Sequence, residues 1–558
     1  MLNNRKRLGD LLSEAGLITR DQLDKALTVQ KKTGERLGKV LINLGYITEN
    51  NIIEVLEFQL GVPHLELAGL VLAREVVATI PVALAERYQI IPVKKEGRRL
   101  TLAMVDPTNF FAIDDARMAS GCEVEPVIAA EQEIMRAISQ YYGVTELVEK
   151  AVNQLKPDES VPMSQVQTAD DAPIIGIVNS LFSQAVRERA SDIHLEPQEK
   201  TLRVRFRIDG VLREVASFTR DIQAAIVSRI KISGGMDIAE RRLPQDGRIK
   251  ITEAGRDIDI RVSTLPTILG EKVVMRILDK QAVVLDIGKL GFAPENLQIF
   301  RRLYTQAYGM ILVTGPTGSG KTTTLYSTLG EINTISKNTI TVEDPVEYRL
   351  DGINQVQVNP RAGLTFALGL RSILRQDPNI VMVGEIRDTE TADIAIRAAL
   401  TGHLVLSTLH TNDAPGAITR LLDMGIEPFL AASSILGVLA QRLVRCICHE
   451  CKTSYTPPAD SMERLFLGFD PNQPLQLQRG TGCAACGFTG YKGRMGIHEV
   501  MPVTTVIRDL ITRRASADEI ALAAKKQGML SMRQDGIAKA LAGLTTAEEV
   551  MRVAYAGL

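Results

Sequence analysis

Two stretches near the start of the chain repeat one pattern of apolar and polar positions. RLGDLLSEAGLITRDQLDKALTVQ (7–30) and RLGKVLINLGYITENNIIEVLEFQ (36–59) share Arg7/Arg36, Leu8/Leu37, Gly9/Gly38, Leu12/Leu41, Gly16/Gly45, Ile18/Ile47, Thr19/Thr48, Leu27/Leu56 and Gln30/Gln59. Leu8, Leu11, Leu12 and Ala15 fall at i, i+3, i+4 and i+7, which is one apolar helix face. Gly16 ends that helix, and Thr19 with Gln22 makes a capping-box pattern for a second one carrying Leu23, Ala26, Leu27 and Gln30. Each copy predicts a short helical hairpin. Two copies are too few for a solenoid but enough to pack as a pair.

Mixed strand and helix patterns run on from Gly61 to about Gly143, so the repeats are expected to open an N-terminal domain over 1–145. LKPDESVPMSQVQTADDAP (155–173) is polar and turn-rich, and a linker is expected over 146–172. PIIGIVNSLFSQAVRERA then reads as an amphipathic helix, and TLRVRFRIDGVLREV as a hairpin turning at Asp209-Gly210. In its first strand Arg203, Arg205 and Arg207 share one face, with Val204, Phe206 and Ile208 on the other. A solvated surface paired with acidic residues and a subunit contact both fit that stripe.

MILVTGPTGSGKTTTLYSTL (310–329) is the strongest chemical signal: a buried strand, G-x-x-x-x-G-K-T, then a helix. The glycines let backbone N–H groups surround phosphates at a helix N-terminus, where the dipole favours anions. Gly315, Pro316, Thr317, Gly318, Ser319, Gly320, Lys321, Thr322 and Thr323 are the expected ATP-binding residues. Lys321 would reach the outer phosphates and the Thr322 hydroxyl would ligate Mg²⁺. Three more buried strands end in polar clusters. TITVEDPVEY (339–348) brings Glu343, Asp344 and Glu347, NIVMVGEIRD (379–388) brings Glu385, and TGHLVLSTLHTND (401–413) brings His403 and His410. Carboxylates at the C-terminal ends of parallel strands lie where such folds bind ligands. His410, at a strand end, is the better candidate for sensing the γ-phosphate, and a packed structural role fits either histidine.

Composition narrows the partners. A chain of 558 residues has room for roughly three or four domains. Net charge −1, no Trp and 4% aromatics speak against nucleic-acid binding, through either phosphate neutralisation or base stacking. No secretory pattern precedes the first repeat. PFLAASSILGVLA (428–440) falls short of the ~20 residues of a membrane span, so a cytoplasmic protein is expected. Four of six cysteines form Cys448-x-x-Cys451 and Cys483-x-x-Cys486, 31 residues apart. That spacing suits tetrahedral Zn²⁺ at about 2.3 Å per bond, as a closed structural site. Cys446 offers a second register that is not a knuckle spacing, and His449 and His498 are spare ligands.

GPTGSGKTTT, TVEDPVEY, VGEIRD and STLHTND, in this order, resemble the four boxes of the secretion ATPases, which include type II secretion, pilus extension and pilus retraction motors. The resemblance runs from about Ala172 to the C-terminus, with DIHLEP, RIDGVLRE, DIAERRLPQDGRI and ILRQDPNI also matching, and no box is degraded. It implies an α/β architecture: a PAS-like α/β domain over 173–289, then a RecA-like P-loop ATPase domain over 290–558. That domain would carry a tetracysteine zinc insertion over 446–498 and a helical part over 500–558. It also implies catalytic roles for Glu347 as general base, Glu385 in holding Mg²⁺, and Lys321, Glu343 and His410. Arg261 and Arg276 would reach a neighbouring subunit's phosphates in a homohexamer.

Retraction motors generally lack both the cysteine insertion and a long N-terminal domain. The resemblance is therefore to pilus assembly (extension) ATPases of the PilB type, with type II secretion ATPases as the alternative and a nucleic-acid motor as a distant third. The doubled opening resembles the MshEN domain, which binds cyclic di-GMP. Arg7, Leu8, Gly9, Gln30, Arg36, Leu37, Gly38 and Gln59 are the residues implied for that ligand. Partners implied are an inner-membrane platform protein and a cytoplasmic adaptor at the N-terminal domain, with the motor peripheral to the inner face of the inner membrane.

Overall fold

The computed structural model describes the chain except residues 1–8, 10, 11, 14, 34–36, 38, 39, 42, 43, 48–61, 66, 68–71, 78, 108, 143–171, 254, 280–285, 471, 472 and 555–558. Contacts group it into two compact units: Met1–Phe182 with Glu196–Arg205 and Glu214–Ile230, and Ser183–Leu195 with Phe206–Arg213 and Lys231–Leu558. The expected linker lies almost wholly outside the described residues. Among the described residues no helix is long and apolar enough to cross a membrane.

In the first unit the described residues of the repeat follow the pattern, while Leu8, Leu11 and the second helix of the second copy lie outside the described residues. Gly16 and Gly45 take φ of 72° and 71°, the left-handed conformation that ends a helix. The Thr19 N–H donates to Gln22 Oε1 at 2.8 Å, the Gln22 N–H returns to Thr19 Oγ1 at 3.3 Å, and the helix Arg20–Thr33 follows. Leu12, Ile18 and Ala26 of the first copy bury with Val40, Leu41 and Ile47 of the second in one cluster. Gly9 is buried at that seam, and a Cβ there would stand 2.6 Å from Leu23 Cδ1 and 3.2 Å from Leu37 Cδ2. A side chain at position 9 would have to displace the ends of Leu23 and Leu37, so packing favours glycine there, whatever else it does. Beyond the repeats, β1 (Ile90–Glu96) pairs antiparallel with β2 (Arg99–Met104), which pairs parallel with β3 (Glu123–Ile128).

A six-stranded sheet follows, made of β4 (Asp192–Pro197), β5 (Thr201–Ile208), β6 (Val211–Thr219), β7 (Gln245–Glu253), β8 (Arg256–Thr267) and β9 (Gly270–Asp279) in the order β6-β5-β4-β9-β8-β7. Asp209 and Gly210 both have positive φ, 49° and 85°, as a tight hairpin turn with the right twist demands. The alternation in β5 is clean, with Leu202, Val204 and Phe206 fully buried. Its arginine stripe is a paired surface: Arg203 and Arg205 reach Glu196 at 2.9 and 2.7 Å, and Arg207 reaches Asp192 at 3.5 Å.

The largest sheet takes β10 (Gly309–Thr314), β11 (Thr339–Glu343), β12 (Asn354–Gln357), β13 (Ile380–Val383), β14 (Leu404–Leu409) and β15 (Ile435–Ile447). β16 (Lys452–Tyr455) and β17 (Leu477–Gly480) form a small separate ribbon, and β18 (Tyr491–Pro502) returns to the main sheet. The order is β12-β11-β13-β14-β10-β15-β18, parallel except for the β15–β18 pair. Every residue of β10, β11, β13 and β14 is buried, as expected where helices cover both faces of a parallel sheet. One apolar cluster holds Leu312, Val342, Val381 and Val405, and another holds Ile311, Val313, Met382 and Leu406. The C-terminal ends of β10, β11, β13 and β14 thus open side by side, and all four sequence boxes sit there.

Candidate active site

The loop between β10 and the helix Lys321–Ile332 is shaped by its glycines. Gly315, Gly318 and Gly320 have φ of 151°, 81° and 86°. A Cβ on Gly315 would lie 2.5 Å from the Gln441 carbonyl oxygen, so only glycine fits there. The loop is clamped at its start, where the Thr314 hydroxyl contacts Thr411 Oγ1 at 2.7 Å and accepts the Thr411 N–H at 2.9 Å. Lys321 Nζ turns back onto the Gly315 and Pro316 carbonyls at 2.7 and 3.1 Å. Burial pushes this ammonium down to about 8, with nearby Arg442 adding to the fall and Glu385 opposing it. Ser319 Oγ is buried with no hydrogen-bond partner, while Pro316, Thr317, Gly318 and Thr322 are exposed. A glycine cradle, an unused buried hydroxyl and a desolvated lysine at a helix N-terminus fit a polyphosphate.

The two glutamates of the acidic box have different surroundings. Glu343 is buried and takes hydrogen bonds from the Tyr326 hydroxyl, Thr341 Oγ1 at 2.6 Å and Gln355 Nε2 at 3.1 Å. Those donors leave it anchoring the β11 end. Glu347 is half-buried, and its Oε2 pairs with Arg261 Nη1 at 3.1 Å while Arg261 Nη2 donates to the Val346 carbonyl at 3.2 Å. Arg261, expected to reach across to a neighbour, is here engaged within its own chain. Arg276 is likewise held, with its Nε 3.1 Å from Asp192 Oδ1.

Glu385 lies just past β13 and pairs with Arg387 at 2.6 Å and with His410 Nε2 at 3.3 Å. Its burial alone would raise the carboxyl, but Arg387 and His410 together hold it below the usual carboxylate range. A cavity of about 300 Å³ opens beside it, lined by Ile386, Arg387, Leu409, His410 and Arg420. His403 is elsewhere: its Nδ1 meets the Ala398 carbonyl at 2.9 Å, at the C-terminal end of the helix Thr389–Leu400. Sequence reading missed Arg387, although it stands inside the VGEIRD box, and it missed Gln441 and Arg442. A single glutamine in the apolar run ILGVLAQRLV was the available signal, because buried polar side chains are held by partners.

A cradle for a polyphosphate beside two acidic strand ends and a histidine is a nucleotide-hydrolysing arrangement, and the comparisons identify whose. The family model described as type II/IV secretion system protein matches residues 167–552. The chain belongs to that family. It is 47% identical to the type IV pilus assembly ATPase PilB of Myxococcus xanthus, over 98% of both chains. It is 45% identical to the type II secretion system protein E of Xanthomonas campestris, again over 98% of both. The solved ATPase DotB of Yersinia pseudotuberculosis shares the fold, with 20% identity, a TM-score of 0.51, and coverage of 68% of this chain and 93% of that one. This secretion-family chain is an ATPase with a mixed α/β fold, and the family implies ATP with Mg²⁺ as substrate.

Two further features of the secretion-family chain lie away from the phosphate cradle. Cys448, Cys451, Cys483 and Cys486 bring their four sulfurs within 4.8 Å of one another. Backbone N–H groups point at them: Gly482 at Cys451 (3.3 Å), and Cys483 and Gly490 at Cys486 (3.2 and 3.3 Å). Four clustered sulfurs backed by N–H donors fit a thiolate-bound metal. Cys446 is outside the cluster, its thiol pushed up to about 11 by burial and the Asp209 charge. His498 is not a spare ligand: it is fully buried and stacked on Phe292, ring centroids 3.7 Å apart. An MshEN model matches residues 60–146, downstream of the doubled stretch. Of the residues expected at that stretch, Gly9, Gln30 and Leu37 are described, while Arg7, Leu8, Arg36, Gly38 and Gln59 lie outside the described residues.

Proposed function

We propose that this ATPase drives assembly of a type IV pilus. The correspondence with a pilus assembly ATPase over 98% of both chains carries the reading. It would act as a homohexamer at the cytoplasmic face of the inner membrane, pushing on a membrane-embedded platform protein, with a cytoplasmic adaptor at its N-terminal domain. The proposed organisation is 1–145 for that domain, 146–172 for a linker, 173–289 for a PAS-like domain and 290–558 for the motor. The second reading, a type II secretion motor, is supported by the relative from Xanthomonas campestris, which matches just as fully. Deleting the gene is expected to abolish surface pili and leave enzyme secretion intact. Intact pili with blocked secretion would move the chain to the second reading.

In this proposal Glu347 orients and deprotonates the attacking water, and Arg261 holds the Glu347 carboxylate in place before substrate enters. Lys321 reaches the outer phosphates, and Arg261 and Arg276 supply positive charge once released from Glu347 and Asp192. Thr322 and Glu385 would hold Mg²⁺, which when bound neutralises phosphate charge. His410, on Glu385, would report the state of the γ-phosphate.

Cyclic di-GMP is the proposed regulator, at Arg7, Leu8, Gly9 and Gln30 with Arg36, Leu37, Gly38 and Gln59. A two-fold ligand suits a doubled stretch, and an MshEN match in the same N-terminal region supports the reading. Titrating the full chain with cyclic di-GMP should give saturable binding that Arg7→Ala weakens by roughly tenfold or more, the loss of one charged contact. Binding that is absent, or unmoved by Arg7→Ala, would leave the repeat as scaffold.

A further inference from the structure

We infer that Gln441 is a positioning residue for the nucleotide, fixing the peptide between Ser319 and Gly320 so that the Gly320 N–H serves the phosphates. Gln441 lies on β15, which runs parallel to β10 with Ala440 opposite Thr314, and it is only 2% exposed. Its Nε2 donates to the Ser319 carbonyl at 2.8 Å, across 122 residues of sequence. Its Oε1 accepts from the Thr324 hydroxyl at 2.7 Å. The amide can stand only this way round, because a carbonyl oxygen never donates.

A trans peptide is planar, with its C=O and N–H pointing in opposite directions. Drawing the Ser319 carbonyl onto β15 therefore turns the Gly320 N–H away from β15. Gly320 begins the helix at φ 86°, and a Cβ on it would meet Gln441 Nε2 at 2.8 Å. Glycine and glutamine thus fill one space between them. The Thr324 contact ties the first turn of the helix to the same side chain. One residue of a distant strand sets both the last peptide of the loop and the start of the helix it opens.

The test uses the full chain, with ADP affinity, kcat and KM for ATP, and melting temperature without nucleotide as readouts. Gln441→Met keeps the volume but removes the donor. It is expected to weaken ADP binding and raise KM by roughly tenfold, with kcat within about twofold, because uniform binding and not chemistry is lost. Gln441→Glu should be as weak as Gln441→Met at pH 8 and, as pH falls, recover part of its affinity relative to both wild type and Gln441→Met, which share the Lys321 titration, since only the protonated carboxyl can donate to Ser319. Thr324→Val, which leaves the Ser319 contact in place, should change KM by less than about threefold. Unchanged ADP affinity in Gln441→Met overturns the proposal. So does a fall in kcat or melting temperature at constant KM, and so does a Gln441→Glu variant with no pH-dependent recovery. A wild-type chain that binds no ADP would overturn the proposal together with the nucleotide reading of the loop.

Discussion

Glu347→Gln is expected to retain nucleotide binding while losing about 10²- to 10⁴-fold in turnover, the range for removing a general base. The substitution is isosteric, and a glutamine oxygen can still accept from Arg261, whose guanidinium stands 3.1 Å from Glu347. The local geometry should therefore survive while the proton acceptor disappears. Steady-state hydrolysis and ADP titration on the same preparation separate the two effects. Unchanged hydrolysis would remove Glu347 from the base role, and lost ADP binding would show that the change had disturbed the cradle. Glu343→Gln is the informative contrast. Glu343 already takes hydrogen bonds from Tyr326, Thr341 and Gln355, so its replacement should act first on the packing of the β11 end. Losing the charged acceptor of a buried network costs about 1–3 kcal/mol of stability.

Much of this site was legible because its parts are local in sequence. The strand–loop–helix of 310–329 declares a phosphate cradle through glycine spacing alone, and each acidic box ends a buried strand that pattern reveals. Arg261 is a different case. Its expected role came from resemblance, and nothing in DIRVSTLP says that it pairs with Glu347, 86 residues further on. That pairing depends on where β8 lies against the segment after β11, which is long-range packing. Gln441 shows the same limit: strand order places it behind the loop, and strand order is not a local property. At the repeat, pattern placed the Gly16 helix end and the helix Arg20–Thr33 of the first copy, while the second helix of the second copy lies outside the described residues, and the Gly9 side could be assigned to ligand approach or to packing. The close approach of Leu23 and Leu37 supplies the packing reason, and a ligand is not needed to explain that glycine.

Removing the metal expected at the cysteine cluster should undo the insertion and spare the nucleotide site. Metal analysis of the purified chain should find about one zinc, and Cys451→Ser or strong chelation should release it. In isolated zinc fingers the bound metal supplies about 10–16 kcal/mol of folding free energy. The effect here should stay local because the surroundings are held without it. Arg445 pairs with Glu549 at 2.7 Å and stacks over Tyr491 at 4.0 Å. Burial alone would raise the Glu549 carboxyl, yet Arg552 and Arg445 hold it at about 2, so this clamp keeps its charge throughout the neutral range. The β15–β18 ladder also continues from Ile447 to Gly437, beyond the cysteines. Melting of the main sheet and ADP affinity should therefore change little, while proteolysis between Cys448 and Gly490, outside that ladder, becomes fast. One consequence reaches further, because Asp209 accepts the Gly493 N–H at 2.9 Å, three residues past the Gly490 whose N–H points at Cys486. Hydrogen exchange should rise at the Asp209–Gly210 turn when the metal leaves, coupling the cysteine cluster to the β5–β6 hairpin. Well-folded protein with no zinc, or an insertion equally protected after chelation, would refute the four-thiolate reading.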